Sequence, residues 1–301
     1  MWQVRTVDWV REAETQLLRL ARSDSGWGYR RGSVPCVEPT ALACLALQAT
    51  ESRGENSAAF DAVRTAARWL ASIQQLDGAL GISASLSTPQ WPTPFAVLTW
   101  ASQEGFTAEM EKATKWLLKQ HGVTFHLDPE VIGHDTTMLG WPWVAGTHSW
   151  LEPTAMALLA LRRRGLMDHE RTREGLRLIL DRSIASGGWN YGNNSIYGRS
   201  LRPQPAVTGI ALVALSRTQR PDGVVHKACE YLEHELPTLR SAQSLCWALL
   251  GLRAWGLRPS DARRWLAESF EQAGRHTNIV PELAYLLLAS AERSLLLLGA
   301  I

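Results

Sequence analysis

Two stretches of this chain repeat one another without a gap. Residues 26–50 read GWGYRRGSVPCVEPTALACLALQAT, and residues 140–164 read GWPWVAGTHSWLEPTAMALLALRRR. Trp27 aligns with Trp141, Tyr29 with Trp143, Gly32 with Gly146 and Glu38 with Glu152, each pair 114 positions apart. Each copy is a loop of aromatic residues and glycine, then Glu-Pro-Thr, then an almost wholly apolar helix. Proline suits a first helical position because its missing N–H is not needed there. The glutamate ahead of it sets a carboxylate at the positive end of the helix dipole. A chain built this way is a repeat protein, and its repeat places carboxylates at helix mouths.

The rest of the chain alternates two helix types: one amphipathic, the other apolar nearly all round, as a helix covered on every side must be. The expected pairs are 7–22 with 38–50, 58–75 with 93–103, 107–120 with 152–164, 170–184 with 204–217, 222–235 with 241–255, and 259–273 with 281–298. Pro39, Pro94, Pro153, Pro205 and Pro281 stand near the starts of five of the apolar members. A period of about 50 residues indicates a repeat array. Six pairs without a polar capping repeat imply a ring. The expected fold is therefore all-α: one (α/α)6 toroid over residues 1–301, its inner helices around a central cavity and its aromatic loops at the mouth. One long insertion, 122–151, interrupts the period, and long insertions on a scaffold are where function concentrates.

Composition narrows the functional classes. A formal net charge of +2 offers no surface for nucleic acid. Cys36, Cys44, Cys229 and Cys246 show no paired spacing, and MWQVRTVDWVREAE carries charges too early for a secretory signal, so reduced thiols in the cytoplasm are expected. No apolar run reaches the ~18 residues of a spanning helix. The tail SLLLLGAI reads as the end of a buried helix, with peripheral membrane contact as its alternative use. The 14 tryptophans outnumber the 5 tyrosines and 5 phenylalanines and cluster in loops at helix starts.

These features resemble the superfamily of squalene-hopene cyclases and protein prenyltransferases. Gln74-Gln75-Leu76-Asp77-Gly78-Ala79-Leu80 is similar to that superfamily's Q-x(2–5)-D-G-x-W repeat, with Leu80 in place of tryptophan; Gly187 to Tyr191 (GGWNY) is similar in style. In the cyclases, the middle Asp of an Asp-x-Asp-Asp-Thr segment at an inner-helix start protonates the substrate. Aligned here, that segment falls on Trp150-Leu151-Glu152-Pro153-Thr154, which puts Glu152 in the place of the acid. Gly133-His134-Asp135-Thr136-Thr137 resembles the Asp-x-Asp-Thr-Thr variant without its first Asp. The prenyltransferase zinc set has no counterpart at Ser244-Leu245-Cys246, and the Asp-rich motif that binds magnesium diphosphate is absent from the sequence. The resemblance implies a single-toroid, cofactor-free, metal-free enzyme.

The candidate catalytic residues are Glu152, then Glu38, Asp135 and His134. Glu152 could be an acid kept protonated among Trp141, Trp143 and Trp150, or a carboxylate serving only the free N–H groups of its helix. Asp135 could pair with His134 or simply form an Asx-turn. Trp91, Trp141, Trp143, Trp150, His148 and Gln204 are the candidate substrate contacts, aromatic faces being suited to carbocations. The same tryptophans could instead tie outer helices to inner ones, the role favoured for Trp27 and Trp189. Arg162-Arg163-Arg164 reads as a solvated helix end. His126, Asp128, His134 and His148 fit no metal-ligand spacing. The first functional expectation is protonation-initiated cyclisation or isomerisation of an apolar isoprenoid. The alternatives are a non-catalytic toroid binding a lipid or protein, and a carbohydrate-active toroid with paired carboxylates.

Overall fold

The computed structural model describes residues 8–50, 57–128, 130–218, 222–273 and 279–300. Val7, the expected start of the first helix, lies outside them, as do Pro129 of the insertion and Ile301 of the tail. Helices alternate along the chain in outer–inner pairs: α1 (Trp9–Leu20) and α2 (Val37–Thr50), α3 (Ala58–Ser72) and α4 (Thr93–Trp100), α5 (Thr107–Lys119) and α6 (Leu151–Arg163), α7 (Glu170–Asp181) and α8 (Pro205–Leu215), α9 (Asp222–Glu235) and α10 (Ala242–Ala254), α11 (Ala262–Ala273) and α12 (Ile279–Ser290). Burial follows the sequence pattern. The amphipathic α1 buries only Ala13 and Leu17, whereas α2 buries Val37 and everything from Pro39 to Ala49.

The inner helices pack in chain order, α2 on α4, α4 on α6, α6 on α8, α8 on α10 and α10 on α12; α12 also packs on α2. Between α8 and α10 the backbones touch, because Gly209 and Gly251 face each other and a Cβ on Gly209 would lie 2.1 Å from the Trp247 carbonyl oxygen.

Two expectations need correction. The last helix does not run from 281 to 298: it stops at Ser290, and a separate short helix α13 (Ser294–Leu297) follows. Leu295, Leu297 and Leu298 are buried and only Leu296 is exposed, so the tail is core. The arginine run is not solvated. Arg162 is buried and donates to the Val213 and Ala214 carbonyls at the end of α8, at 3.2 and 2.5 Å. Arg163 donates to the Ala101 carbonyl after α4 at 2.8 Å, and Arg253 to the Ala291 carbonyl after α12 at 2.8 Å. A helix end leaves carbonyls without intrahelical partners, and these guanidiniums supply the donors. The chain is mostly helical, as expected, with one small addition: β1 (Ser195–Ile196) and β2 (Arg199–Ser200) form a two-stranded antiparallel hairpin between α7 and α8.

At the other end of the inner helices a repeated clasp sets their starts. Thr40 Oγ1 accepts from the Trp27 N–H and donates to the Trp27 carbonyl, both at 2.9 Å. Thr93 does the same for Leu80, Thr154 for Trp141 and Thr208 for Trp189, with N–H···Oγ1 distances of 2.9, 3.0 and 3.0 Å. The tryptophan then reaches the other way. Its indole N–H donates to the end of the preceding outer helix: Trp27 to Leu17 O at 2.8 Å, Trp141 to Leu117 O at 2.9 Å and Trp189 to Ile179 O at 2.7 Å. The residue before the tryptophan is glycine because a Cβ on Gly26 or Gly140 would lie 2.5 Å from the threonine oxygen. All of this is buried, where an unpaired N–H is costly.

The clasp makes a stability prediction. Thr208→Val preserves shape but strands the Trp189 N–H, and urea unfolding is expected to show a loss of about 1–3 kcal/mol at unchanged m-value.

Candidate active site

The clasps bring the repeats into register, and the residue two positions before each clasp threonine stands at the mouth. These are Glu38, Trp91, Glu152 and Ala206. Two positions after the clasp tryptophans stand Tyr29 in the first repeat, Trp143 in the third and Tyr191 in the fourth. The Tyr29 hydroxyl donates to Glu38 Oε2. Trp143 makes no such bond to Glu152; its ring sits against Trp91, centroids 4.8 Å apart at 76°. Glu152 is partly buried and has no hydrogen-bond partner among the described residues. The two copies of one motif therefore hold their carboxyls differently.

Electrostatics ties these groups together. Burial raises Glu38 above the ordinary carboxyl value, and the Tyr29 hydrogen bond opposes that rise. Burial, and then the charge of Glu38, pushes Glu152 up to about 7. Tyr285, on α12, is raised well above the usual phenol range by burial, then by Glu38 and Glu152. A pocket of about 470 Å³ opens among the starts of α2, α10 and α12, lined in part by Tyr29, Glu38, Arg240, Gln243, Glu282 and Tyr285. Its lining includes Glu38 but not Glu152. The Arg240 charge is paired with Glu268 at 2.7 Å. A space of about 20 Å³, roughly one water, lies between Trp91, Trp116, Trp141 and Trp143. A groove of about 700 Å³ at the opposite end, beside Trp9, Leu257 and Arg258, is larger. Its Glu292 is lowered by hydrogen bonding to Arg258, so the raised carboxyls, and the candidate chemistry, belong to the mouth.

The other candidates are dispersed over the insertion. Asp135 is exposed; it accepts from the Thr137 N–H at 2.8 Å and hydroxyl at 2.6 Å, an Asx-turn. Those bonds lower its pKa, the wrong direction for a proton donor. His134 is pushed down to about 4, first by burial and then by Arg182. It is therefore neutral, with a buried Nδ1 that lacks a partner among the described residues. His148 is exposed, its ring centroid 4.7 Å from that of Trp150. Trp141 is 3% exposed and belongs to the clasp, with Arg171 4.4 Å over its ring; it is frame, not pocket lining for a large ligand. Trp91, Trp143 and Trp150 are partly buried at the mouth. Gln204 uses its backbone, donating its N–H to Trp189 O at 2.8 Å and accepting from Thr208 N at 2.8 Å. Among the described residues no three His, Cys, Asp or Glu side chains converge as metal ligands would.

The sequence reading left Tyr29, Tyr285 and Arg182 out of the site. Tyr29 had a signal in its alignment with Trp143, one copy carrying a hydroxyl and the other not. Tyr285 is the lone phenol in an apolar helix. Arg182, which is buried and donates to Ser149 O at 2.6 Å, had none.

Comparison with known proteins gives a fold. The type II terpene cyclase MstE from Scytonema, in its apo form, superposes with a TM-score of 0.59 at 14% identity, covering 90% of this chain and 79% of that one. An MstE variant in complex with geranylgeranyl dihydroxybenzoate, its substrate, gives 0.61 at 11% identity over 97% of each chain. A protein from Actinoplanes gives 0.57 at 15% identity, covering 89% of this chain and 80% of that one. The chain thus has a terpene-cyclase-like helical fold. No protein-family model and no curated protein sequence matches it.

The raised carboxyl predicts how stability depends on pH. Glu152 moves from the usual 4.5 to about 7 on folding, so between those values the folded state binds more protons than the unfolded one. Stability is then highest below about pH 4.5 as far as this group is concerned, falls as pH rises towards 7, and is flat above. Glu152→Gln is expected to flatten that slope in urea titrations at stepped pH.

Proposed function

We propose that the chain is a single closed (α/α)6 toroid and an isoprenoid-handling enzyme, one that starts the cyclisation or isomerisation of an apolar polyene by protonating it. The observation that carries this reading is Glu152. A partly buried carboxyl with a pKa of about 7 keeps its proton where an ordinary carboxyl has lost it, and a retained proton is what an acid catalyst needs. Addition of that proton to an alkene carbon uses the π electrons for the new C–H bond and leaves a carbocation on the neighbouring carbon. The faces of Trp91, Trp143 and Trp150 offer that cation negative quadrupole potential. Loss of a proton from an adjacent carbon, to a carboxylate or to water, restores a double bond and ends the reaction. No step draws on a metal or organic cofactor.

The terpene-cyclase-like fold supports the ligand class, since solved MstE complexes hold geranylgeranyl dihydroxybenzoate and merosterolic acid A. We place any membrane contact at the mouth and not at the tail: Val34, Leu86, Phe125, Leu127 and Tyr197 are exposed in the mouth loops. No described helix is long and apolar enough to cross a membrane.

A carbohydrate-active toroid is the second reading, favoured by one observation, the influence of the Glu38 charge on Glu152. Paired carboxyls are the usual apparatus of glycoside hydrolysis.

One screen separates the two. Incubation with squalene, oxidosqualene, linear prenyl diphosphates and a panel of oligosaccharides, read by mass spectrometry, is expected to give a cyclic or isomerised isoprenoid. Glu152→Gln is expected to reduce that product about 100-fold or more. Sugar cleavage would replace this reading with the second, and product that survives both Glu152→Gln and Glu38→Gln would place the acid elsewhere.

A further inference from the structure

The proposed chemistry needs one proton on one carboxyl, yet the repeat supplies two glutamates at equivalent positions. Their surroundings differ at several aligned sites, and one of these sets the hydrogen bonding. In the first repeat that site is Tyr29, whose hydroxyl donates to Glu38. In the third it is Trp143, which turns its ring to Trp91 and leaves Glu152 without a hydrogen bond among the described residues. A hydroxyl donor favours the ionised form of the carboxyl it reaches. A neighbouring negative charge favours the protonated form of the second carboxyl.

We propose that Tyr29 biases which of the two glutamates carries the proton: its hydroxyl favours Glu38 as the carboxylate, and the charge so fixed adds to burial in holding the proton on Glu152. Tyr29 is thus a positioning residue that acts through Glu38, and the duplicated motif is an asymmetric acid pair. The other groups facing the pair do not compete for the role. Cys36 and Cys246 are raised above the usual thiol value by burial and stay neutral near pH 7. Tyr285 is likewise neutral. Arg240, at the pocket wall, already has its counter-ion in Glu268. Glu282 shares the pocket wall but is not among the groups whose charge moves Glu38 or Glu152.

The inference rests on the acid reading of this site, but its test does not require turnover. The full-length protein is labelled with ¹³C at glutamate Cδ and titrated by NMR, with Glu38→Gln and Glu152→Gln used to assign the two mouth signals. The later-titrating signal is expected to belong to Glu152, with a midpoint near 7. In Tyr29→Phe the Glu38 midpoint is expected to rise and that of Glu152 to fall, each by about one pH unit. Trp143→Tyr, which offers Glu152 a hydroxyl of its own, is expected to lower Glu152 in the same way. If the later signal belongs to Glu38, or if Tyr29→Phe in folded protein leaves both midpoints in place, the inference is wrong. A normal titration without any isoprenoid product would overturn the acid reading alone. Product formation with unmoved midpoints would overturn only the role of Tyr29.

Discussion

A threonine hydroxyl that both accepts from and donates to the backbone of one turn residue fixes where four of the inner helices begin. The positions of the mouth side chains follow from it. The turn cannot slide along the helix without exposing a buried N–H and a buried C=O at once. The indole N–H extends the same clasp to the outer helix, so loop, inner helix and outer helix are registered by one residue pair. Glu38 and Glu152 come two residues before the threonine, which is why they meet the same mouth from different helices. The second repeat keeps the clasp with Leu80 and puts Trp91 where the first and third carry glutamate; the fourth has Ala206 there.

The two ends of the inner helices are treated in opposite ways. At one end Arg162, Arg163 and Arg253 give donors to helix-end carbonyls that lack intrahelical partners, and those groups serve the frame. At the mouth the helix starts leave the Glu152 carboxyl without a hydrogen-bond partner among the described residues, and a nearby pocket has two phenols on its wall. Burial penalises the charged form of the Glu152 carboxyl, and such a cost is tolerated where a group must change its protonation state. This contrast favours the mouth for the proposed chemistry, although the larger groove lies at the arginine end.

The architecture was legible because burial on all sides writes itself into a helix as an unbroken apolar run. The gap-free repeat marked both glutamates for the same reason: a mouth residue is fixed by its distance from the clasp. The clasp itself was half visible. Glu-Pro-Thr repeats openly, but that threonine holds a tryptophan thirteen residues earlier is a tertiary fact, and the proline taken to start the second inner helix, Pro94, stands one residue past its clasp threonine, Thr93. The arginine run misled because charge at a helix end is normally solvated, and only the neighbouring helix ends show where it goes. The break after Ser290 lacks a glycine or proline to announce it. Asp135 looked like an acid by motif; its Asx-turn with Thr137 was the plainer reading and is the one the structure holds.

The central claim is that a proton-donating carboxyl pair at the mouth receives a cation formed on an isoprenoid chain. It is tested most directly by a crystal structure with a linear isoprenoid in which an ammonium nitrogen replaces the carbon that would bear the charge. The account predicts the nitrogen at the mouth, within about 3–4 Å of a Glu38 or Glu152 carboxyl oxygen, with the hydrocarbon against Trp91, Trp143 or Trp150. A ligand seated in the groove at the arginine end, or a mouth that stays empty at saturating ligand, would contradict it.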